Sequence, residues 1–125
     1  MKTSELTGTA LDWAVATAEG YSDYDTAMGR LLAPRKEYGW VDLCNLDYST
    51  SWSLAGPIIE RELIQLSPQI NGRYKGQWAA HMWRENKTGA LVPNTMYGPT
   101  PLIAAMRCFM AAKLGDEIDV PEELT

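Results

Sequence analysis

The chain has 125 residues, 46% of them hydrophobic and 22% charged, with a net charge of −5. That is enough apolar material for one globular core and too little charge for a disordered chain, so a single domain over residues 1–125 is expected. No apolar run approaches a membrane span and residues 1–5 lack a secretory pattern, so a cytosolic chain with no membrane partner is expected.

The first predicted helix opens near Thr9, with Asp12 three positions on as a short-acid capping box, and stops at Gly20. Leu11, Ala14, Val15 and Ala18 share one stripe, with Trp13 at its border. Residues 21–25 read as loop. A short strand is predicted over 28–32, interrupted by Pro34 and Gly39, and another extended piece over 40–43. Residues 49–54 suit one or two helical turns opened by Asp47 or Ser49. Gly56-Pro57 is expected to break them, with Pro57 opening a second turn over 58–62.

A strand over 63–66 ends at Ser67-Pro68, and Asn71-Gly72 is a turn dipeptide. Residues 77–84 return as a strand with Trp78, Ala80, Met82 and Arg84 on one face and Ala79, His81 and Trp83 on the other. The next 14 residues, 85–98, read as a long loop with a short strand at 90–92. The last helix is the clearest element. Thr100 is its N-cap, Pro101 its first residue and Gly115 its stop. Its face of Leu102, Ile103, Met106, Phe109, Met110 and Leu114, backed by alanines, predicts burial on most sides. The fold class is therefore α+β: an N-terminal helix, a central antiparallel hairpin or sheet, a buried C-terminal helix and an acidic tail over 116–125.

Charge is segregated along the chain. Residues 1–60 carry nine acidic and four basic side chains, whereas 61–113 carry seven basic and two acidic. An acidic chain is poorly suited to duplex nucleic acid, but its basic middle suits a small anion. Enzymatic signals are largely negative: G-x-S-x-G, P-loop, G-x-G-x-x-G, H-E-x-x-H and C-x-x-C motifs are all missing. One histidine and two cysteines, Cys44 and Cys108, favour neither a metal site nor a disulfide framework, and no cofactor is expected. Glu60 and Glu62 are the raw material for a small hydrolase but are better explained as solvated surface.

Binding signals are positive. Tyr97-Gly98-Pro99-Thr100-Pro101 leads into a capped helix start, where unpaired N–H groups and the helix dipole favour an anion. Trp83 and Arg84 offer a ring for stacking and a guanidinium for phosphate, as a nucleotide-like ligand needs. Trp52 and Arg61 could line a pocket, or fill the core and pair with a carboxylate. Arg107, mid-helix among apolar residues, requires a partner, either a carboxylate or a ligand anion. The candidate ligand-binding set is Trp52, Arg61, Trp83, Arg84, Tyr97, Thr100 and Arg107, with no catalytic residue.

Several blocks carry a resemblance: Leu11-Asp12-Trp13-Ala14-Val15-Ala16, Tyr48-Ser49-Thr50-Ser51-Trp52, Gly56-Pro57-Ile58-Ile59-Glu60, and Pro101-Leu102-Ile103-Ala104-Ala105-Met106-Arg107. In this order they resemble the NinX family of phage proteins over almost the whole chain. The resemblance implies an origin in phage or prophage genomes and expression in the cytoplasm of a bacterial host, and it carries over no reaction. Together these features favour a phage accessory protein that binds, without catalysis, a small anionic nucleotide-derived host signal and so blunts host defence. The alternatives are a modulator docking on a host protein, a structural phage protein and a small hydrolase. A homo-oligomer fits the abundance of Trp, Tyr, Met and Arg.

Overall fold

A computed structural model describes residues 1–34 and 39–124. Among these residues it is an α+β fold of three α-helices, α1 (Gly8–Ala18), α2 (Trp52–Arg61) and α3 (Pro101–Leu114), and six strands. The strands are β1 (Ser22–Asp25), β2 (Arg30–Leu32), β3 (Trp40–Asp42), β4 (Gln65–Pro68), β5 (Trp78–Glu85) and β6 (Leu91–Gly98). They form two antiparallel three-stranded sheets, β1-β2-β3 and β4-β5-β6, rather than one.

Helix α3 lies at the centre. It follows the predicted bounds, with Thr100 Oγ1 accepting the Ile103 N–H at 3.2 Å and Gly115 at a left-handed φ of 87°. Leu102, Met106, Phe109 and Met110 are buried in one core cluster with Leu6, Leu11 and Val15 of the N-terminal segment and Ile58 of α2. Ala80 and Met82 of β5 supply the sheet side of that cluster. The small residues of α3 permit this close packing. Gly98, at the end of β6, lies so near the helix that an added Cβ would stand 2.7 Å from the Ala104 backbone N.

Several local expectations need correction; the strand expected over 63–66 runs instead from Gln65 to Pro68 and so takes in its expected Ser67-Pro68 stop. Residues 91–98 are a full strand paired with β5 from Glu85↔Leu91 to Trp78↔Gly98, not a loop. The turn is closed by Asn86, whose Oδ1 accepts from the Thr88 and Ala90 N–H groups, and by Gly89 at φ 85°. Pro93 is tolerated because β6 is an edge strand, and the ladder alternation set by the Asn86 N–H to Ala90 carbonyl bond puts Pro93 at a non-hydrogen-bonded pair.

Pro57 does not split α2. It removes only the bond to the Ser53 carbonyl, at an exposed position, while a continuous helix buries both Ala55 and Ile58. Residues 22–25 are a strand rather than loop. Asp25 Oδ1 accepts from the Ala27 and Met28 N–H groups and so closes a hairpin with β2.

The chain ends meet. Thr3 N–H donates to the Asp116 carbonyl at 2.9 Å, and Ile118 N–H donates to the Met1 carbonyl at 3.0 Å. Ile118, Val120 and Leu124 of the acidic tail pack against the core. The tail is thus partly structural.

Gly98→Ala forces a methyl group against helix backbone that cannot rotate away. A loss of about 1–3 kcal/mol is expected, read as a lowered thermal midpoint. An unchanged midpoint would show that β6 and α3 are not this close.

Candidate ligand-binding site

A cleft of about 270 Å³ opens where the start of α2 faces the start of α3. Its walls are Ser49, Thr50 and Trp52 on one side and Thr100, Pro101, Leu102 and Ile103 on the other. Trp52, the first residue of α2, is 54% exposed, so its indole is available to a ligand. The Ser49 wall is held from α1: Asp12 Oδ1 accepts the Ser49 N–H at 2.8 Å. The expected Thr9–Asp12 capping box therefore does not form, and Thr9 lies inside the helix. Thr7 caps α1 without a side-chain bond, and the helix turns Asp12 inward, where it is buried. Burial raises the Asp12 pKa above its ordinary value, and the Ser49 bond offsets part of that.

The start of α3 offers less to an anion than a bare helix terminus does. Pro101 has no N–H, the Ile103 N–H is taken by Thr100 Oγ1, and the Ala104 N–H by the Thr100 carbonyl at 3.0 Å. That leaves the Leu102 N–H and the helix dipole. No titratable side chain lines the cleft among the described residues.

The seven predicted binding residues do not converge. Trp52 and Thr100 share the cleft. Arg61 instead clamps Glu19 at the end of α1 through two bonds of 3.0 and 2.9 Å, with its guanidinium 5.8 Å from the Phe109 ring centre. Among the described residues Arg107 meets no carboxylate: its Nε donates to the Leu6 carbonyl at 2.7 Å and its Nη1 to the Tyr97 carbonyl at 2.8 Å. Partial burial lowers its pKa.

Tyr97 gives its carbonyl to Arg107, and its ring stacks on Tyr74 with centroids 3.7 Å apart. Trp83 and Arg84 are exposed near the far end of β5. The strand register sets Arg84 six residues from the Trp78↔Gly98 pair beside the α3 start, a separation of roughly 20 Å. Sequence order suggested proximity because residues 85–98 read as a flexible loop. As a strand, they carry the chain away from Trp83 along the full sheet before α3 begins.

Other chemistry is equally dispersed. Cys108 is buried, donates from Sγ to the Asn94 carbonyl at 3.1 Å, and has its pKa pushed up to about 11 by burial. His81 is bonded through Nδ1 to Thr95 Oγ1 at 2.8 Å and lies on the sheet face opposite α3, so the two do not pair. Glu62 pairs with Lys113 at 3.0 Å and Glu60 is exposed on α2, so they form no facing carboxylate pair. Among the described residues, no cluster of His, Cys, Asp and Glu could hold a metal ion, and no helix is long and apolar enough to cross a membrane. Sequence reading missed Ser49, Thr50, Leu102 and Ile103 as walls. The available signal was the pairing of two helix starts rich in small and hydroxyl residues.

Compared with known proteins, residues 2–113 match the family model described as Bacteriophage P22, NinX. No curated protein matches the chain.

Arg107→Met leaves the Leu6 and Tyr97 carbonyls without their charged donor. It is expected to cost about 3 kcal/mol in urea unfolding, with Arg107→Lys intermediate because a single ammonium cannot span both acceptors as well. A loss below about 1 kcal/mol would mean that the carbonyls are satisfied otherwise.

Asp12→Asn keeps an acceptor for Ser49 but cannot ionise. Because the native pKa of Asp12 is raised, the native state holds its proton to higher pH than the unfolded chain does. Wild-type stability relative to the variant is therefore greatest below pH 3.8 and falls as pH rises through the native value. Urea melts across the acid range check the sign, and a relative gain with rising pH would contradict it.

Proposed function

Since the chain belongs to the phage P22 NinX family and is a phage accessory protein, we propose that it acts by binding rather than catalysis. Its Trp52–Thr100 cleft captures a small anionic nucleotide-derived host signal in the host cytoplasm, which removes that signal from the defence response. The observation that carries this reading is the accessible Trp52 indole beside the start of a long, capped helix. The ring offers a stacking face for a base, worth about 1–3 kcal/mol. The Leu102 N–H and the helix dipole offer a partial positive charge for a phosphate.

The size of the cleft restricts the ligand. At about 270 Å³ it falls just below the usual range of roughly 300–1,000 Å³ for small-molecule pockets, which suits a mononucleotide or a smaller fragment. Its walls contain hydroxyls and apolar groups but no general base, acid or activated nucleophile, which favours retention over turnover. Arg61 and Arg107 are committed internally and lie outside this reading, as do Trp83 and Arg84. Selectivity would therefore rest mainly on the base.

The test is calorimetric titration and thermal shift with a panel of cyclic and ADP-ribose-type nucleotides, followed by recovery of the compound after denaturation. One member is expected to bind, to be recovered unchanged, and to lose about tenfold in affinity with Trp52→Ala at an unaltered melting temperature. Recovery of an altered compound would replace binding with hydrolysis. Absence of any nucleotide effect, together with a host protein co-eluting with the chain, would replace it with docking on a host enzyme.

A further inference from the structure

We propose that the outer face of the β4-β5-β6 sheet is a binding surface for single-stranded nucleic acid. Helix α3 packs on one face of this sheet, against Ala80, Met82 and Met96. The strand register places Ala79, His81 and Trp83 of β5, with Pro93, Thr95 and Tyr97 of β6, on the opposite face. Trp83 is 57% exposed there. Nothing in the core requires a tryptophan at a strand position turned away from the helix.

Aromatic groups mark both ends of this face. Tyr97 lies opposite Ala79, four residues from Trp83 along β5, which separates the two rings by roughly 13 Å. That distance is within reach of a few nucleotides of an extended strand. At the Tyr97 end, Tyr74 stacks in parallel at 3.7 Å, and the Arg73 guanidinium lies 5.5 Å from the Tyr74 ring centre. Between the ends lie the hydrogen-bonded His81 and Thr95 side chains, which are polar.

Charge selects the occupant. Residues 63–100 carry Arg73, Lys75, Arg84 and Lys87 against a single acid, Glu85, a net +3 in a chain whose total is −5. Arg73 and Lys75 sit in the β4–β5 connection and Lys87 in the β5–β6 turn, so cations lie at both ends of the aromatic face; Arg84, by the strand alternation, is on the α3 side of β5, and Glu85 shares the Trp83 face. Rings that stack bases between cations that neutralise phosphates are the two requirements for sequence-tolerant single-strand binding. A duplex hides its base faces and would face the acidic remainder of the chain, so it fits less well.

Fluorescence anisotropy with labelled oligo-dT and oligo-U at two salt concentrations tests the proposal on the full chain. Single strands are expected to bind with a log–log salt slope of about −2, as for three phosphate contacts, and more tightly than a duplex of equal length. Trp83→Ala should weaken binding about tenfold while Trp83→Phe retains most of it. Because Trp83 is exposed, the Ala variant should melt with the wild type. The relative affinities of oligo-dT and oligo-U identify which nucleic acid is preferred. Trp52→Ala should leave strand binding intact, which separates this surface from the cleft. Absence of binding at low salt, binding indifferent to Trp83→Ala, or equal affinity for duplex would each overturn the proposal. So would sedimentation showing that Trp83→Ala breaks a dimer, because the face would then belong to a second copy of the chain.

Discussion

The Arg107 guanidinium holds together three parts of the chain that are distant in sequence. From the middle of α3 it donates to the Leu6 carbonyl just before α1 and to the Tyr97 carbonyl in β6. Both acceptors sit where regular structure ends or turns, and a partly buried carbonyl without a donor is costly. Placing one cation between them lets α3 pack simultaneously on the N-terminal segment and on the second sheet. The close approach of Gly98 to Ala104 and the alanine-rich surface of α3 follow from the same arrangement. So does the cleft, whose one wall is the first turn of this helix.

A division of labour among the cationic side chains results. Arg61 ties the end of α2 to Glu19 at the end of α1, and Lys113 ties the end of α3 to Glu62. Both cations flank the buried Phe109 ring at 5.8 Å. The cations of these pairs are half exposed and the carboxylates mostly covered, so each pair contributes modestly to stability but fixes how the helix ends meet. With Arg61 and Arg107 engaged in this way, the proposed recognition rests on exposed rings: Trp52 beside the α3 start and Trp83 on the open sheet face. The two tryptophans lie toward opposite ends of the sheet. They can therefore be altered independently.

Much of this was legible in the sequence where local signals agreed with one another. Thr100, Pro101 and Gly115 bounded α3 because cap, first-turn proline and left-handed glycine are each dictated by backbone chemistry. The β4–β5 pairing was legible from the Asn71-Gly72 turn and the alternation after Gln77. The failures came where tertiary packing outweighed a local rule. Pro57 continued α2 because Ala55 and Ile58 share a buried face, and Pro93 joined a strand because an edge position needs no N–H there. Thr9 and Asp12 looked like a capping box by their spacing, whereas the Asp12 carboxylate crosses to Ser49, 37 residues away. No sequence pattern marks such a contact. The candidate site suffered most from reading 85–98 as loop, since that error alone brought Trp83 and Arg84 to the helix start.

Native-state hydrogen exchange followed by NMR tests the central claim most directly, because it reports which elements open together. Amides of α3 and the facing strand β5 should form the slowest-exchanging set, with the Arg107 Nε–H protected alongside them, while the β1-β2-β3 sheet opens at lower cost. An Arg107 Nε–H exchanging as fast as that of free arginine, or an α3 that opens together with β1-β2-β3, would contradict an organisation built around this helix and its guanidinium.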